Sequence, residues 1–232
     1  MGIIYSKDKV PRWPDLILPV CKQVRNWRKV CRLRKWDIPR SAFDRLAPAP
    51  ALTRAEIDAG FIGLLLSFGF GDDGDDNSDA VLSGKIAWQH ARRRWLLKTW
   101  QCRYIDFDKS DHIRLRPAAP VRPRGFYYTK FRPGDQYLSW KTSRFLKTLG
   151  KHDFGCGPEG IQMLTITHPH LPRLMNARKI PFMAFCDYDI APHGFNDFYD
   201  ALQMFCSNET LGLGIGNIDQ NYPLFGIPTL RF

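Results

Sequence analysis

The chain has 232 residues, 44% of them hydrophobic and 13% aromatic, with 34 Lys and Arg against 23 Asp and Glu for a net charge of +11. That length and apolar content support a buried core and exclude a disordered or low-complexity polymer. The longest apolar run, FIGLLLSFGFG at 61–71, falls short of the roughly 18 residues that a spanning helix needs.

Residues 1–19 mix charge, Pro and apolar positions, so no secretory signal is expected. The six cysteines (21, 31, 102, 156, 186 and 206) include no Cys-x-x-Cys, and the expectation is reduced thiols in a cytoplasmic protein. Charge is segregated along the chain. Residues 1–40 carry +8, 41–90 carry −5, 91–150 carry +11 and 151–232 carry −3. Basic blocks of this size attract phosphate, on lipid head groups or on nucleic acid.

The opening MGIIYSK places Gly2 and Ser6 where N-myristoylation requires them, with Lys7 and Lys9 alongside. One acyl chain holds a membrane only marginally and needs a second, polybasic signal. The segment after Pro19 supplies one. VCKQVRNWRKVCRLRKW predicts a helix with Val20, Val24, Trp27 and Cys31 on one stripe and Lys22, Arg25, Arg28, Lys29, Arg32 and Lys35 mostly opposite. Past the Pro-rich stretch 46–52, Thr53 and Glu56 form a capping-box pattern ahead of a second helix that buries Ile57, Phe61, Leu64 and Leu65. GDDGDDNSD at 71–79 reads as an acidic loop, since it lacks the glycine and the final glutamate of a calcium loop. A third helix is capped by Ser78 or Asp79 and runs to about Leu97.

Strands are expected at 100–107 and 112–116. GFYYTKF-RPGD-QYLSW (125–140) reads as a hairpin, and 141–149 as a short basic helix. In the last third, 161–167 and 181–186 read as strands, 171–178 and 196–206 as helices, and 211–218 and 226–232 as strands. The glycine-rich pieces 152–160 and 212–216 are assigned to tight turns and close backbone packing, since neither shows the full phosphate-binding pattern.

Two further constellations could carry chemistry. His168, His170, Asp187, Asp189 and His193 fall just past predicted strand ends, where a crevice could hold Zn²⁺ or another divalent transition metal for a hydrolytic reaction. Cys186 with His193 is a weaker nucleophile–base alternative. The block 91–150 interleaves 15 basic residues with aromatics. Arg92, Arg93, Arg94, Tyr127 and Lys130 are the candidate nucleic-acid contacts, by stacking and phosphate neutralisation.

The expected fold is α+β, with a helical basic N-terminal half (1–110, including the acidic loop 71–79) and a mixed α/β region (111–232) carrying the hairpin, both sharing one core. The expected function is non-enzymatic and cofactor-free. It is that of a peripheral membrane-associating protein of matrix or adaptor type, binding an anionic surface through the basic helix and an acylated Gly2. A metal-dependent hydrolase and a soluble nucleic-acid-binding module are the alternatives. An anionic membrane surface is the expected partner, with nucleic acid or nucleoprotein as a second.

Overall fold

The computed structural model describes residues 12–70, 76–94, 98–109, 112–175, 180–191 and 198–232; of these, the side chains of 76–78 and of Arg94 are left undescribed. Gly2, His193 and the first half of the acidic stretch lie outside the described residues. The fold is α+β: two sheets built largely from antiparallel pairs, with helices packed between and around them.

Helix α1 (Trp13–Leu16) carries Pro14 in its first turn, where a missing N–H costs nothing. Helix α2 (Val20–Arg34) starts after Pro19 and stops where Lys35 turns left-handed (φ 52°) and donates its N–H to the Cys31 carbonyl. Short helices α3 (Arg40–Asp44) and α4 (Arg54–Asp58) follow. The capping box forms: Thr53 accepts from the Glu56 N–H, and Glu56 accepts from the Thr53 N–H. The helix nevertheless ends at Asp58 and does not run on to Leu65. Gly60 (φ 88°) turns the chain, and Leu64, Leu65 and Leu66 enter strand β1 (Gly63–Gly69).

Helix α5 (Asp76–Arg94) precedes strands β2 (Lys98–Gln101), β3 (Ile113–Leu115) and β4 (Gly125–Arg132). Helix α6 (Thr142–Leu146), strand β5 (Asp153–Gly155) and helix α7 (Pro158–Gln162) come next, and α7 runs into a π-helical turn at Met163–Thr167. Strands β6 (Phe182–Ile190), β7 (Asp200–Ser207), β8 (Thr210–Asn217), β9 (Phe225–Gly226) and β10 (Thr229–Arg231) complete the chain.

The first sheet has the order β1-β4-β10-β5 and the second β2-β8-β7-β6-β3, with β9 on the other half of the β6 edge that β3 occupies. One apolar cluster runs from Trp13 through Trp27, Leu66, Trp88, Phe131 and Leu164 to Phe185, Leu213 and Leu230. A smaller cluster of Phe145, Ala184, Cys186 and Ile227 lies on the opposite face of β6, with Tyr137 and Trp140 packed against it.

Three sequence expectations give way here. The return strand of the 125–140 hairpin is absent, because β4 already has β1 on one edge and β10 on the other. Residues 135–137 form a 3₁₀ turn whose Tyr137 packs on Phe145 instead. Residues 161–167 are helical, not extended, and are buried on every side. Apolarity all round removes the periodicity that would separate a buried helix from a buried strand. Residues 200–207 are a strand, not a helix. They lie between β6 and β8, with Leu202 and Met204 in the main core and Phe205 on the other face.

Glu56 does more than cap α4. Its carboxylate accepts from Lys130 Nζ at 2.6 Å, and it is pulled from an ordinary value of 4.5 to about 2, first by that bond and then by the Thr53 N–H. A lowered carboxyl pKa adds stability that is complete above about pH 4.5 and is lost as pH falls toward about 2. Glu56→Gln is therefore expected to flatten the acid limb of the melting temperature in that window and leave its shape above about pH 5 unchanged. An unaltered limb in circular-dichroism melts of the variant would argue against the pairing.

Candidate functional site

The site is the outer face of α2, and its position follows from how the inner face is anchored. Among the described residues the outer edge of β1 has no neighbouring strand, and its polar groups are met by side chains. Gln23 Nε2 donates to the carbonyls of Leu18 (2.8 Å) and Leu64 (2.7 Å), and its Oε1 accepts from the Leu66 N–H at 2.8 Å. Trp27 Nε1 donates to the Leu66 carbonyl at 3.0 Å. Further along, Gln162 takes both polar groups of Phe68 at 2.8 and 2.9 Å. These bonds satisfy a buried sheet edge, which would otherwise be costly. They also fix the rotation of α2 about its axis. The buried face is Gln23, Trp27, Val30 and Cys31, while Val20 and Val24 are only half-buried. The predicted apolar stripe thus turns by part of a residue step, because a glutamine serving the β1 edge takes the central place.

The opposite face then points to solvent. Lys22, Arg25, Arg28, Lys29, Arg32 and Lys35 are all exposed. Among the described residues only Arg28 of these six has an acidic partner, Asp44 at 3.3 Å across a solvent-exposed gap. Asp79, from the acidic stretch, pairs with Arg124 at 3.2 Å and not with α2. Arg34 is the exception on this helix. It turns inward, and its Nε donates to His90 Nδ1 at 2.9 Å.

Apolar side chains interrupt the cations. A groove of about 630 Å³ is lined by Cys21, Val24, Arg25, Arg28, Lys29, Arg32 and Leu33, with Leu33 46% exposed. A neighbouring groove of about 410 Å³ adds Arg40 and a floor of Cys31, Ile38 and Phe43, with the Arg28 guanidinium 5.3 Å from the centre of the Phe43 ring. Sequence reasoning missed Arg40, because it lies outside the α2 periodicity. The only signal was a cation directly after Pro39, at the start of α3. No helix among the described residues is long and apolar enough to cross a membrane.

The remaining candidates are placed differently. Tyr127 is buried and donates its hydroxyl to Glu159 at 2.9 Å, so it is not a surface stacking residue. Burial first, and Glu159 second, push its pKa well above the usual range. Lys130 is held by Glu56 and is likewise no open phosphate contact. Both corrections come from β4 being an inner strand of its sheet. Arg92 and Arg93 are exposed, and the Arg94 side chain lies outside the described residues.

Among the described residues, which leave out His193, the histidine–aspartate crevice does not assemble. His168 and His170 follow a helical segment and not a strand end, and Asp187 and Asp189 lie within β6 and not beyond it. Both carboxylates are engaged by arginines: Asp187 by Arg122 at 2.7 Å, and Asp189 by Arg116 at 2.5 Å. His170 Nε2 donates to the Leu16 carbonyl at 3.0 Å. Among the described residues, no three His, Cys, Asp or Glu are grouped to hold a metal ion. Cys186 is fully buried and its thiol is pushed well upward by that burial, so it stays protonated and does not act as a nucleophile.

What the arrangement can do chemically is bind anions. The α2 face presents guanidinium forks and ammonium groups with apolar surface between them. No protein-family model matches the chain, and no curated protein or solved structure matches it either.

Proposed function

We propose that the protein is a non-enzymatic, peripheral membrane-associating protein of matrix or adaptor type that docks on anionic lipid through the outer face of α2. An acyl group on Gly2 would serve as the second anchor. One observation carries the reading: Lys22, Arg25, Lys29, Arg32 and Lys35 are exposed on one helix face and have no acidic partner among the described residues. A face of this kind, with Leu33 and Val24 between the cations, suits the boundary between head groups and acyl chains.

Each cation near an anionic leaflet contributes about 1 kcal/mol. Reversing Arg25, Lys29 and Arg32 to Glu is therefore expected to lower partitioning onto phosphatidylserine-containing vesicles by at least about a hundredfold, from roughly 3 kcal/mol or more. Co-sedimentation with these vesicles and with pure phosphatidylcholine vesicles is the test. Equal binding to both lipids, or an unchanged triple variant, would overturn the reading. Intact mass of the protein from its native host reports on the acyl group directly, and Gly2→Ala then separates its share from that of α2.

A further inference from the structure

The second sheet carries a row of rings that the sequence does not display as a unit. Trp100 on β2 pairs with Gly212 on β8, and Gly212 pairs with Phe205 on β7. Met183 on β6 pairs with Met204, which brings the adjacent Phe182 level with Phe205, and Phe182 pairs with Phe225 on β9. Five neighbouring strands thus contribute four aromatic rings and one glycine at a single level.

The rings touch along the row: Trp100–Phe205 at 5.8 Å between centroids, Phe205–Phe182 at 6.0 Å, Phe182–Phe225 at 5.2 Å, and Tyr222 beyond at 5.9 Å from Phe225. The glycine is necessary. A Cβ on Gly212 would sit 2.3 Å from the Phe205 ring, so Phe205 lies across the β8 backbone, and Trp100 leans over Gly214 beside it.

Trp100 and Phe205 are on the side of the sheet away from Met183, Leu202, Met204 and Leu213 of the main core, and Phe182 continues the row while also packing against that core. Further along the same face, Ala184 and Cys186 are covered by Phe145 and Ile227. The aromatic end is left open: Trp100 is 48% exposed and Leu224, next to Phe225, is 45% exposed.

Polar and cationic groups border the rings. Two residues back along the strands, Lys98, Thr210 and Ser207 form the adjacent level. Lys98 is exposed, and Arg103 follows β2 with its guanidinium over Tyr104 at 4.7 Å, while Arg92 and Arg93 are exposed at the end of α5, whose Trp88 packs on the opposite, core-facing side of β2. None of these four cations has an acidic partner among the described residues.

We propose that this face binds single-stranded nucleic acid. Two or three bases stack on the Trp100–Phe205–Phe182 row, as sheet-borne rings allow, and the backbone phosphates run along the β2 edge past Lys98 and Arg103. Charge decides the occupant. An apolar partner or a second copy of this chain, itself at +11, would meet uncompensated cations at this edge, whereas a polyanion neutralises them. Recognition is by stacking and charge, so it tolerates sequence and weakens with salt.

The test is fluorescence anisotropy of labelled oligouridylate and oligothymidylate with the full chain, supported by sedimentation of the protein alone. Trp100→Ala, at an exposed edge position, is expected to weaken binding about tenfold or more. Lys98→Glu with Arg103→Glu is expected to reduce the salt dependence. Absence of oligonucleotide binding, or binding that Trp100→Ala leaves intact while reversal of Arg25, Lys29 and Arg32 abolishes it, would overturn the proposal. So would a concentration-dependent dimer that Trp100→Ala disperses, which would assign the face to a second copy. The charge-reversed α2 variant on vesicles and Trp100→Ala on oligonucleotides read different faces, so either proposal can fail without the other.

Discussion

Arg122→Ala is expected to lower the unfolding free energy by about 3–5 kcal/mol. That is a large share of the roughly 5–15 kcal/mol by which domains are stable. Arg122 is buried, and its guanidinium is used on every side. Nε donates to Glu159 Oε1 at 2.9 Å, Nη2 to Asp187 Oδ2 at 2.7 Å, and Nη1 to the Pro120 carbonyl at 2.8 Å. The carboxylates are satisfied in turn. Asp187 accepts from the Gly155 N–H at 3.0 Å, and Glu159 accepts from the Gly157 N–H at 3.2 Å and from Tyr127.

This network joins the two sheets. Asp187 sits where the β6–β7 register shifts, and it reaches β5 there. Gly155 allows the approach, since a Cβ on it would lie 2.7 Å from Asp187 Oδ1 and 2.2 Å from Cys186 Sγ. Burial works against the charge on Arg122, but Glu159 and Asp187 outweigh it and its pKa rises. Burial also raises the Asp187 pKa, against the pull of Arg122.

Removing the arginine leaves two buried carboxyls without a cation, and that penalty is the source of the loss. Urea unfolding midpoints measure it. Neutralising all three groups together, as Arg122→Met with Glu159→Gln and Asp187→Asn, is expected to recover much of what Arg122→Met alone forfeits. A loss below about 1 kcal/mol in Arg122→Ala would show that the network is solvated and not buried.

The protein is expected to lose about 3 kcal/mol of stability between pH 7 and pH 4 through His168 alone, at about 1.4 kcal/mol per unit of pKa shift. His168 is fully buried, its Nδ1 is 2.8 Å from Thr167 Oγ1, and among the described residues its Nε2 has no hydrogen-bond partner. Burial first, and the neighbouring His170 second, lower its pKa from 6.5 to about 3. The folded ring therefore stays neutral, while the unfolded ring takes a proton below about pH 6.5. Stability is complete above that pH and declines as pH falls toward about 3.

His168→Asn puts an amide in place of the imidazole beside Thr167 and cannot titrate. Its stability is lower at about pH 7 because of the volume it gives up, but its decline toward about pH 4 is expected to be shallower. Asp187, with a raised carboxyl pKa, contributes with the opposite sign, losing stability as pH rises above its ordinary 3.8. The difference between wild type and variant isolates the histidine. Parallel slopes in urea unfolding across about pH 4–8 would contradict the assignment.

The sequence by itself determined the local and periodic features. The segregation of charge, the α2 helix with its cations on one side, the Thr53–Glu56 capping box and the strands at β6 and β8 all follow from spacings of two to four residues. Such spacings need no distant partner to have their effect.

Only the tertiary structure decided which polar groups remain available and which distant residues meet. Tyr127 and Lys130 read as surface contacts until β1 and β10 closed on both sides of β4 and brought Glu159 and Glu56 against them. Residues 161–167 and 200–207 lost their periodic signature because neighbours cover them on more than one side. The Arg122 pairs span 37 and 65 residues of sequence, and the Trp100 row draws on strands between residues 98 and 226. Strand register and the closure of long loops govern such meetings, and both are settled by the burial of the whole core rather than by any single segment.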